Sequence, residues 1–315
     1  MKLNELRIGN LVVPIPVIQG GMAVKISTAP LAAAVANEGG IGIIAGTGMT
    51  VEELIREIRT ARELTKGVIG VNVLFAVREF ADLVKAAIKE KIDLIVSGAG
   101  FSRDMFAWGK ETNTPIVPIV SSAKLAVMAE KLGAAAVVVE GKEAGGHLGT
   151  DRSMREILPE VCSSVTIPVI GAGGVIDGID MADVLKLGAK GVQMGTRFAA
   201  SEESNASKEM KELYVKAKKE DVIHVKSPVG LPGQGIRNSF FELIESGNQI
   251  SEHECVGCLK RCTHSFCILD ALHNACKSGD PNKALVFSGE YVHKIKEILP
   301  VKVIFERLLS EVKES

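Results

Sequence analysis

One stretch of the sequence decides the fold: Val169-Ile170-Gly171-Ala172-Gly173-Gly174, a short apolar run that ends in glycine. Strands of a parallel sheet are apolar throughout because both of their faces are buried. Working outward in both directions, further apolar runs end in small or polar residues, with helical patterns between them. The runs lie at residues 17–19, 41–45, 68–75, 94–96, 116–120, 136–139, 169–170 and 191–194. This alternation predicts βα units and a parallel sheet.

The helical segments between the runs begin and end at recognisable residues. Thr50-Val51-Glu52-Glu53 is a capping box in front of an amphipathic run, and Gly133 ends the segment 124–132. Eight βα units favour an α/β chain folded as a closed (β/α)8 TIM barrel. An open, doubly wound sheet is the alternative, but it needs only five or six strands.

The sequence changes character after the eighth unit. Residues 201–220 are charged and are expected to be helical, and residues 227–235 form a loop rich in glycine and proline. A cysteine-rich stretch follows, and then an amphipathic region over residues 291–312. We therefore predict a barrel domain at residues 1–240 and a small cysteine-rich extension with a C-terminal helix at residues 241–315.

Composition excludes several classes of function. The 315 residues carry a formal net charge of −1 and only 4% aromatic residues, so the basic field and stacking surfaces of a nucleic-acid-binding protein are missing. No apolar run reaches the roughly 18 residues of a membrane span. The N-terminal residues 1–7 lack the apolar region of a secretory signal, which predicts a cytoplasmic protein without membrane attachment.

Glycine-rich loops follow the last two predicted strands. Gly173-Gly174 ends the seventh, and Gly195-Thr196 ends the eighth. Phosphate sites in (β/α)8 barrels are frequently built from these two loops, because glycine lets backbone amides approach an anion. Tight turns alone would also use glycine, but two such loops at the two expected positions favour phosphate binding.

Three further residues are candidates at the barrel mouth. His147 lies among glycines after the sixth strand, where a histidine can move a proton near neutral pH. An ordinary surface histidine is the alternative. Asn72 lies inside the apolar third strand and needs a hydrogen-bonding partner, which a ligand ring or a neighbouring backbone group would supply. Met22 either packs against a flat ring or fills the core.

The ordered motifs carry a family resemblance. Gly20-Gly21-Met22, Glu143-Ala144-Gly145-Gly146-His147, Gly171-Ala172-Gly173-Gly174 and Gly195-Thr196-Arg197-Phe198 resemble the nitronate monooxygenase (2-nitropropane dioxygenase) family and the related flavin-dependent enoyl-acyl-carrier-protein reductases. The resemblance covers about residues 8–240 and implies an FMN-binding barrel. It implies that His147 is the active-site histidine, that Gly21, Met22 and Asn72 border the isoalloxazine, that Glu140 and Gly145 lie near the flavin and ribityl chain, and that Gly173, Gly174, Gly195 and Thr196 hold the phosphate.

Two departures from the family pattern leave the substrate open. Many nitronate monooxygenases have Gln at the position of Glu140, whereas the enoyl reductases have Glu there, as this chain does. The loop that reads Pro-Gly-Arg-Ala or similar in the family reads Pro232-Gly233-Gln234-Gly235 in this chain. The first hypothesis is an FMN-dependent oxidation of alkyl nitronates, with His147 as base or orienting group. The second is reduction of an activated alkene, such as an enoyl thioester, with electrons from NAD(P)H or from a metal cluster. A non-enzymatic binding protein is the weakest reading.

The extension carries a compact cysteine motif, Cys255-x2-Cys258-x3-Cys262-x4-Cys267. Closely spaced thiols in a reducing compartment favour metal binding, and the short steps suit a [4Fe-4S] cluster better than zinc. A similar tail in a subset of nitronate-monooxygenase-like proteins also implies an iron–sulfur cluster. His253 and His264 are possible substitute ligands, and cysteines that only fill a core remain the alternative. We further expect a small-molecule substrate, with an electron carrier and a second copy of the chain as candidate partners.

Overall fold

The computed structural model describes residues 1–246, 255, 257–280 and 282–314. The strands are β1 (Leu6–Ile8), β2 (Leu11–Val13), β3 (Val17–Gln19), β4 (Ile41–Ala45), β5 (Val68–Leu74), β6 (Leu94–Gly98), β7 (Ile116–Val120), β8 (Val137–Glu140), β9 (Gly146–His147), β10 (Val169–Ala172), β11 (Gly191–Met194), β12 (Val222–Lys226) and β13 (Pro232–Ile236). The helices are α1 (Ala29–Asn37), α2 (Val51–Leu64), α3 (Phe80–Lys89), α4 (Arg103–Thr112), α5 (Ala123–Leu132), α6 (Met154–Ser164), α7 (Gly178–Lys186), α8 (Thr196–Ala199), α9 (Lys208–Lys216), α10 (Ser239–Glu245), α11 (Ile268–Lys277) and α12 (Val301–Glu314).

A closed parallel barrel forms the centre of the molecule. Its strands follow one another in the order β3, β4, β5, β6, β7, β8, β10, β11, and β11 pairs with β3 to close the ring. Apolar side chains such as Ile18, Ile43 and Val96 fill the interior, while a larger apolar layer packs the strands against the helices. The predicted (β/α)8 TIM barrel is confirmed, because each predicted apolar run became one barrel strand.

The predicted helix boundaries follow the local chemistry. The Thr50 side chain accepts a hydrogen bond from the Glu53 amide at 3.2 Å, and the Glu53 carboxylate accepts one from the Thr50 amide at 3.0 Å. Gly133, at φ +100°, ends α5 in the left-handed conformation. Both caps stand at the residues that the sequence indicates.

Three predicted elements differ from the structure. The loop 227–235 connects and partly forms an antiparallel hairpin of β12 and β13, onto which β9 adds a third strand. In the charged segment 201–220, α9 covers only Lys208–Lys216, because serines at both sides of residue 205 favour turns over helix. The amphipathic region predicted at residues 291–312 forms α12 only from Val301 onward. Pro300 disfavours helical backbone at the residue before it, so the helix starts after the proline.

The residues after 240 pack back onto the barrel. Helix α12 lies against α7 and α1, and Leu259 pairs with Val77 in the loop after β5. The predicted domain boundary at residue 240 stays a prediction. Within the described part of the chain, no helix is long and apolar enough to cross a membrane.

Candidate functional site

One cavity at the carboxyl ends of the barrel strands brings together every residue that the resemblance assigned to flavin or catalysis. These residues come from the ends of six strands and from the loops that follow them. They are Gly21, Met22, Asn72, Glu140, Gly145, His147, Gly173, Gly174, Gly195 and Thr196. Active sites of (β/α)8 enzymes lie at this end of the barrel. The individual roles of these residues stay predictions.

The first wall of the cavity is built on buried polar contacts. Gln19 is fully buried and joins three neighbouring segments, since its amide accepts from the Ile43 amide at 3.0 Å and donates to the Ser27 hydroxyl at 2.9 Å. The side chain of Asn72 donates to the Gly21 carbonyl at 3.1 Å. A Cβ at Gly21 would lie only 2.4 Å from the Cβ of Asn72, so glycine is required for this close approach.

Two buried amide oxygens in the cavity wall have no hydrogen-bonding partner among the described residues. They are Oδ1 of Asn72 and Oε1 of Gln193, and both side chains line the cavity. A buried acceptor without a partner costs about 1–3 kcal/mol, so each oxygen favours a bound donor. Gln193 was missed by the sequence reasoning, although its position at the end of β11, two residues before Gly195, could have indicated it.

The two glycine loops lie on the same side of the cavity. Gly173 and Gly174 have φ values of +103° and +65°, and a Cβ at Gly173 would lie 3.0 Å from the Ala144 amide nitrogen. The hydroxyl of Thr196 accepts from the Gly289 amide at 2.9 Å, which fixes its orientation. The loops therefore offer backbone amides and an oriented hydroxyl, which are the groups that bind a phosphate.

Glu140, the last residue of β8, places a carboxyl in the cavity wall. No hydrogen bond or ion pair joins this carboxyl to another described residue, and burial raises its pKa to about 8. At neutral pH the Glu140 side chain is therefore mostly the neutral acid, which can donate a proton.

His147 faces the cavity from the short strand β9. Its Nε2 lies 2.7 Å from the hydroxyl of Ser227, and its ring meets Phe287 edge-on at 5.1 Å between centroids. Burial lowers the pKa of His147 to about 4, so the imidazole is neutral at pH 7. A neutral imidazole can orient a carbonyl or donate a hydrogen bond, but it is a weak base.

Gln234, the departure from the family loop, has a structural role. It lies in β13 and is buried, and its side-chain amide donates to the Ala144 carbonyl at 2.8 Å and to the Lys142 carbonyl at 3.2 Å. Its oxygen contacts Nε2 of His224 at 2.8 Å. Gln234 therefore holds the loop between Glu140 and His147 in place.

The extension supplies an apolar wall of the same cavity, which the sequence reasoning did not anticipate. Seven of its described residues line the cavity, and the four aliphatic ones are Leu259, Ile268, Leu269 and Leu272. The segment is attached to the loop after β5, because the Arg78 amide donates to the Cys258 carbonyl at 3.0 Å and the Lys260 amide donates to the Ala76 carbonyl at 2.9 Å. The extension is thus part of the site.

The structure does not support the predicted metal site at Cys255, Cys258, Cys262 and Cys267. In the ranges that the structure describes, no group of three or more histidine, cysteine or acidic side chains is arranged to hold a metal ion. Burial, followed by the neighbouring Cys267, raises the pKa of the Cys258 thiol. His253, a possible substitute ligand, lies outside the described residues. The [4Fe-4S] and zinc assignments gain no support here.

The electrostatic character of the cavity is acidic to neutral. Glu140 and Glu143 line it, whereas no lysine or arginine among the described residues does. The Glu143 carboxylate accepts from the Met154 amide at 2.9 Å and from the Ser153 hydroxyl, so it caps α6. A ligand phosphate would consequently be held by amides and by Thr196.

FMN fits the residues of this cavity. The glycine loops suit its phosphate, and the unpartnered oxygens of Asn72 and Gln193 suit its donor groups. The fit rests on residues that converge from distant parts of the chain. It agrees with the cofactor that the sequence motifs imply.

Comparison with known proteins identifies the class of enzyme. The chain belongs to the nitronate monooxygenase family, whose model matches residues 4–311. This confirms the family predicted from the motifs, and it places the chain among oxidoreductases. The match extends through most of the extension, beyond the part in which the motifs lie.

Particular relatives differ in the activities that their names state. The chain is 34% identical over 237 residues to a (3aS,4S,5R,7aS)-5-hydroxy-7a-methyl-1-oxo-octahydro-1H-indene-4-carboxyl-CoA dehydrogenase of Mycobacterium tuberculosis, covering 74% of this chain and 66% of that protein, just under two thirds of its length. It is 30% identical to a probable nitronate monooxygenase of Staphylococcus aureus, covering 72% and 76%.

Three solved structures share nearly the whole fold. FabK from Thermotoga maritima superposes with a TM-score of 0.86 at 36% identity, covering 96% of this chain and 94% of that one. Nitroalkane oxidase from Streptomyces ansochromogenes superposes with a TM-score of 0.82 at 26% identity, covering 96% and 97%. An enoyl reductase domain of MlnA from Bacillus amyloliquefaciens shares the fold with a TM-score of 0.76 at 14% identity, covering 96% of this chain and 95% of that one.

Proposed function

We propose that the protein is an FMN-dependent reductase of an activated alkene, such as an α,β-unsaturated acyl thioester. The observation that carries this proposal is the isolated Glu140 carboxyl, whose raised pKa keeps it protonated in a cavity that no described lysine or arginine lines. Reduction of a C=C bond needs a hydride at one carbon and a proton at the other. Bound FMN would supply hydride transfer, with NAD(P)H as the source of electrons.

The residues of this chain supply the proton and the orientation. The Glu140 carboxyl gives its proton to the carbon next to the thioester carbonyl, and water then reprotonates it. The neutral His147 ring, held by Ser227 at 2.7 Å, donates a hydrogen bond to the carbonyl oxygen and stabilises the developing charge. A histidine with a pKa of about 4 suits this role better than proton abstraction from a nitroalkane.

The apolar wall of the extension supports an acyl substrate. Leu259, Ile268, Leu269 and Leu272 present aliphatic surface to the cavity. Burying a hydrocarbon chain against such surface contributes about 25 cal/mol per Å². A small, anionic nitronate would gain little from this wall.

Anaerobic reduction and reoxidation test the proposal. Protein reconstituted with FMN is mixed with NADH or NADPH, and the flavin absorbance is followed before and after addition of crotonyl-CoA. We expect bleaching by a reduced nicotinamide and recovery with the unsaturated thioester. Bleaching by propyl-2-nitronate and by neither nicotinamide would refute the reductase assignment.

The proton-donor role has its own matched pair of variants. Glu140→Gln removes the acid but keeps its shape, and proton transfer should slow by about 10²–10⁴-fold. Glu63→Gln, an exposed change on α2, is the control and should react like the wild type. Equal rates in both variants would contradict a role for Glu140.

Nitronate oxidation is the second candidate, because the family model and the Staphylococcus aureus relative carry that activity in their names. In this case His147 would orient a substrate that is already anionic. The iron–sulfur cluster, the electron carrier, a homodimer and a cytoplasmic location stay predictions from the sequence. No step of the proposed reaction uses a cluster.

A further inference from the structure

A second cavity lies beside the flavin cavity, on the other side of Ile176, which lines both. It measures about 240 Å³ and lies between the loop before α7, the short helix α8 and the C-terminal helix α12. Since one water takes up about 30 Å³ of liquid, this space admits a small ion together with hydration water. Its lining combines a few aliphatic side chains with four cations and three carboxylates.

The carboxylates of this second cavity are already engaged. Glu297 pairs with Arg307 at 2.6 Å, and Asp177 pairs with Lys294 at 3.2 Å. Glu311 accepts a hydrogen bond of 2.6 Å from the first backbone amide of α7. None of these three acids forms a direct ion pair with the other two cations within the described ranges, although the charge of Glu297 acts on Arg197 and opposes the lowering of its pKa.

Arg197 and Lys296 are the cations left over. Neither makes an ion pair with any residue that the structure describes. Arg197 is only 6% exposed, and its Nη2 donates to the carbonyls of Ala200 and Glu297 at 2.7 and 2.8 Å. Its buried Nε has no hydrogen-bonding partner within the described ranges. Burial lowers the pKa of Arg197 to about 10, which leaves the guanidinium charged at neutral pH.

We propose that the second cavity binds a small oxyanion, either inorganic phosphate or the phosphate group of a small monoester, with Arg197 at its base and the exposed Lys296 at its rim. A buried charge without a directly paired anion is costly, and an oxyanion would pair with the guanidinium and accept from the free Nε. The neighbouring residue Thr196 lines the flavin cavity, so consecutive residues of α8 line the two cavities.

Calorimetric titration of FMN-saturated protein tests this site, because FMN then fills the phosphate loops of the first cavity. Inorganic phosphate and glycerol 3-phosphate are titrated separately at low ionic strength, which distinguishes the free ion from a monoester. We expect saturable binding of at least one of them. Lys296→Glu should weaken it at least about tenfold, since a charge-assisted contact becomes repulsive. Lys302→Glu, an exposed change on α12 outside the cavity, should leave it unchanged.

Arg197→Gln should abolish the binding. If this variant does not fold, the comparison of Lys296→Glu with Lys302→Glu still decides the matter, because both changes are on the surface. The absence of saturable binding in the wild type, or equal affinity in those two variants, would overturn the proposal. Phosphate binding that Lys296→Glu weakens should also be seen in protein without FMN. The test therefore does not depend on the flavin assignment.

Discussion

Replacing Glu140 with Gln should make the protein more stable at alkaline pH, and the size of the effect follows from burial. The folded protein holds the Glu140 pKa at about 8, against an ordinary value of 4.5. Below pH 4.5 the carboxyl is protonated in the folded and unfolded states alike, so it costs nothing. As pH rises from 4.5 to 8, the unfolded chain releases the proton first, and the free energy of unfolding of the wild type falls.

The loss accumulates at about 1.36 kcal/mol per pH unit, which reaches roughly 5 kcal/mol above pH 8. The value of roughly 5 kcal/mol is an upper limit, because the cavity is open to water. We expect the free energy of unfolding of Glu140→Gln to exceed that of the wild type by about 2–5 kcal/mol at pH 8.5. Urea unfolding of wild type, Glu140→Gln and the control Glu63→Gln at pH 5 and 8.5 gives the numbers. A Glu140→Gln gain of equal size at both pH values would refute the reasoning, since burial of a titrating group predicts convergence in acid.

Three further predictions concern the site. His147→Ala should retain FMN, measured by the absorbance of the bound flavin, but should lower kcat about 10²-fold or more. Ser227→Ala should lower kcat less, because Ser227 only orients the ring, and unchanged turnover in both variants would exclude the assigned roles. Gly173→Ala should weaken FMN binding at least about tenfold, measured by fluorescence titration. Gly133→Ala is the control, because Gly133 also has a left-handed backbone but has open space where a Cβ would lie, and it should not weaken binding. Equal affinities in the two variants would contradict the assignment of Gly173 to the phosphate site. Anaerobic iron, sulfide and zinc analysis of wild type and Cys258→Ser tests the cysteine motif, and wild-type protein free of all three would end the metal prediction.

The barrel was predictable from the sequence because its signals are local. A run such as Ile41–Ala45 is buried on both faces and is therefore apolar throughout, and small or polar residues mark the ends of several strands. The hairpin of β12 and β13 was not predictable in the same way. β13 contains Pro232, Gly233 and Gly235, which are poor strand residues, and it is held by pairing with β12 and with β9 about 90 residues earlier.

In the candidate site, too, the residues with local sequence signals were predictable and the contacts between distant parts of the chain were not. Motifs next to strand ends, such as Gly173-Gly174 and His147, could be placed because the fold brings strand ends together. The contact between His147 and Ser227 spans 80 residues and depends on the hairpin, so no local pattern indicates it. The unexpected wall from Leu259 and its neighbours likewise depends on pairing with Val77, 182 positions away in the chain.

The apolar wall has a consequence for how such an enzyme can diverge. The groups assigned to the flavin belong to the barrel, whereas Leu259 and α11 belong to a segment encoded almost entirely after it. Substitutions at Leu259 or in α11 change the surface that the proposed acyl substrate would meet, while the residues of the phosphate loops and Asn72 stay as they are. Changes at Leu259 and in α11 can therefore alter the apolar wall without touching the barrel loops, whereas changes near Gly289 would also disturb the Thr196 hydroxyl that its amide holds.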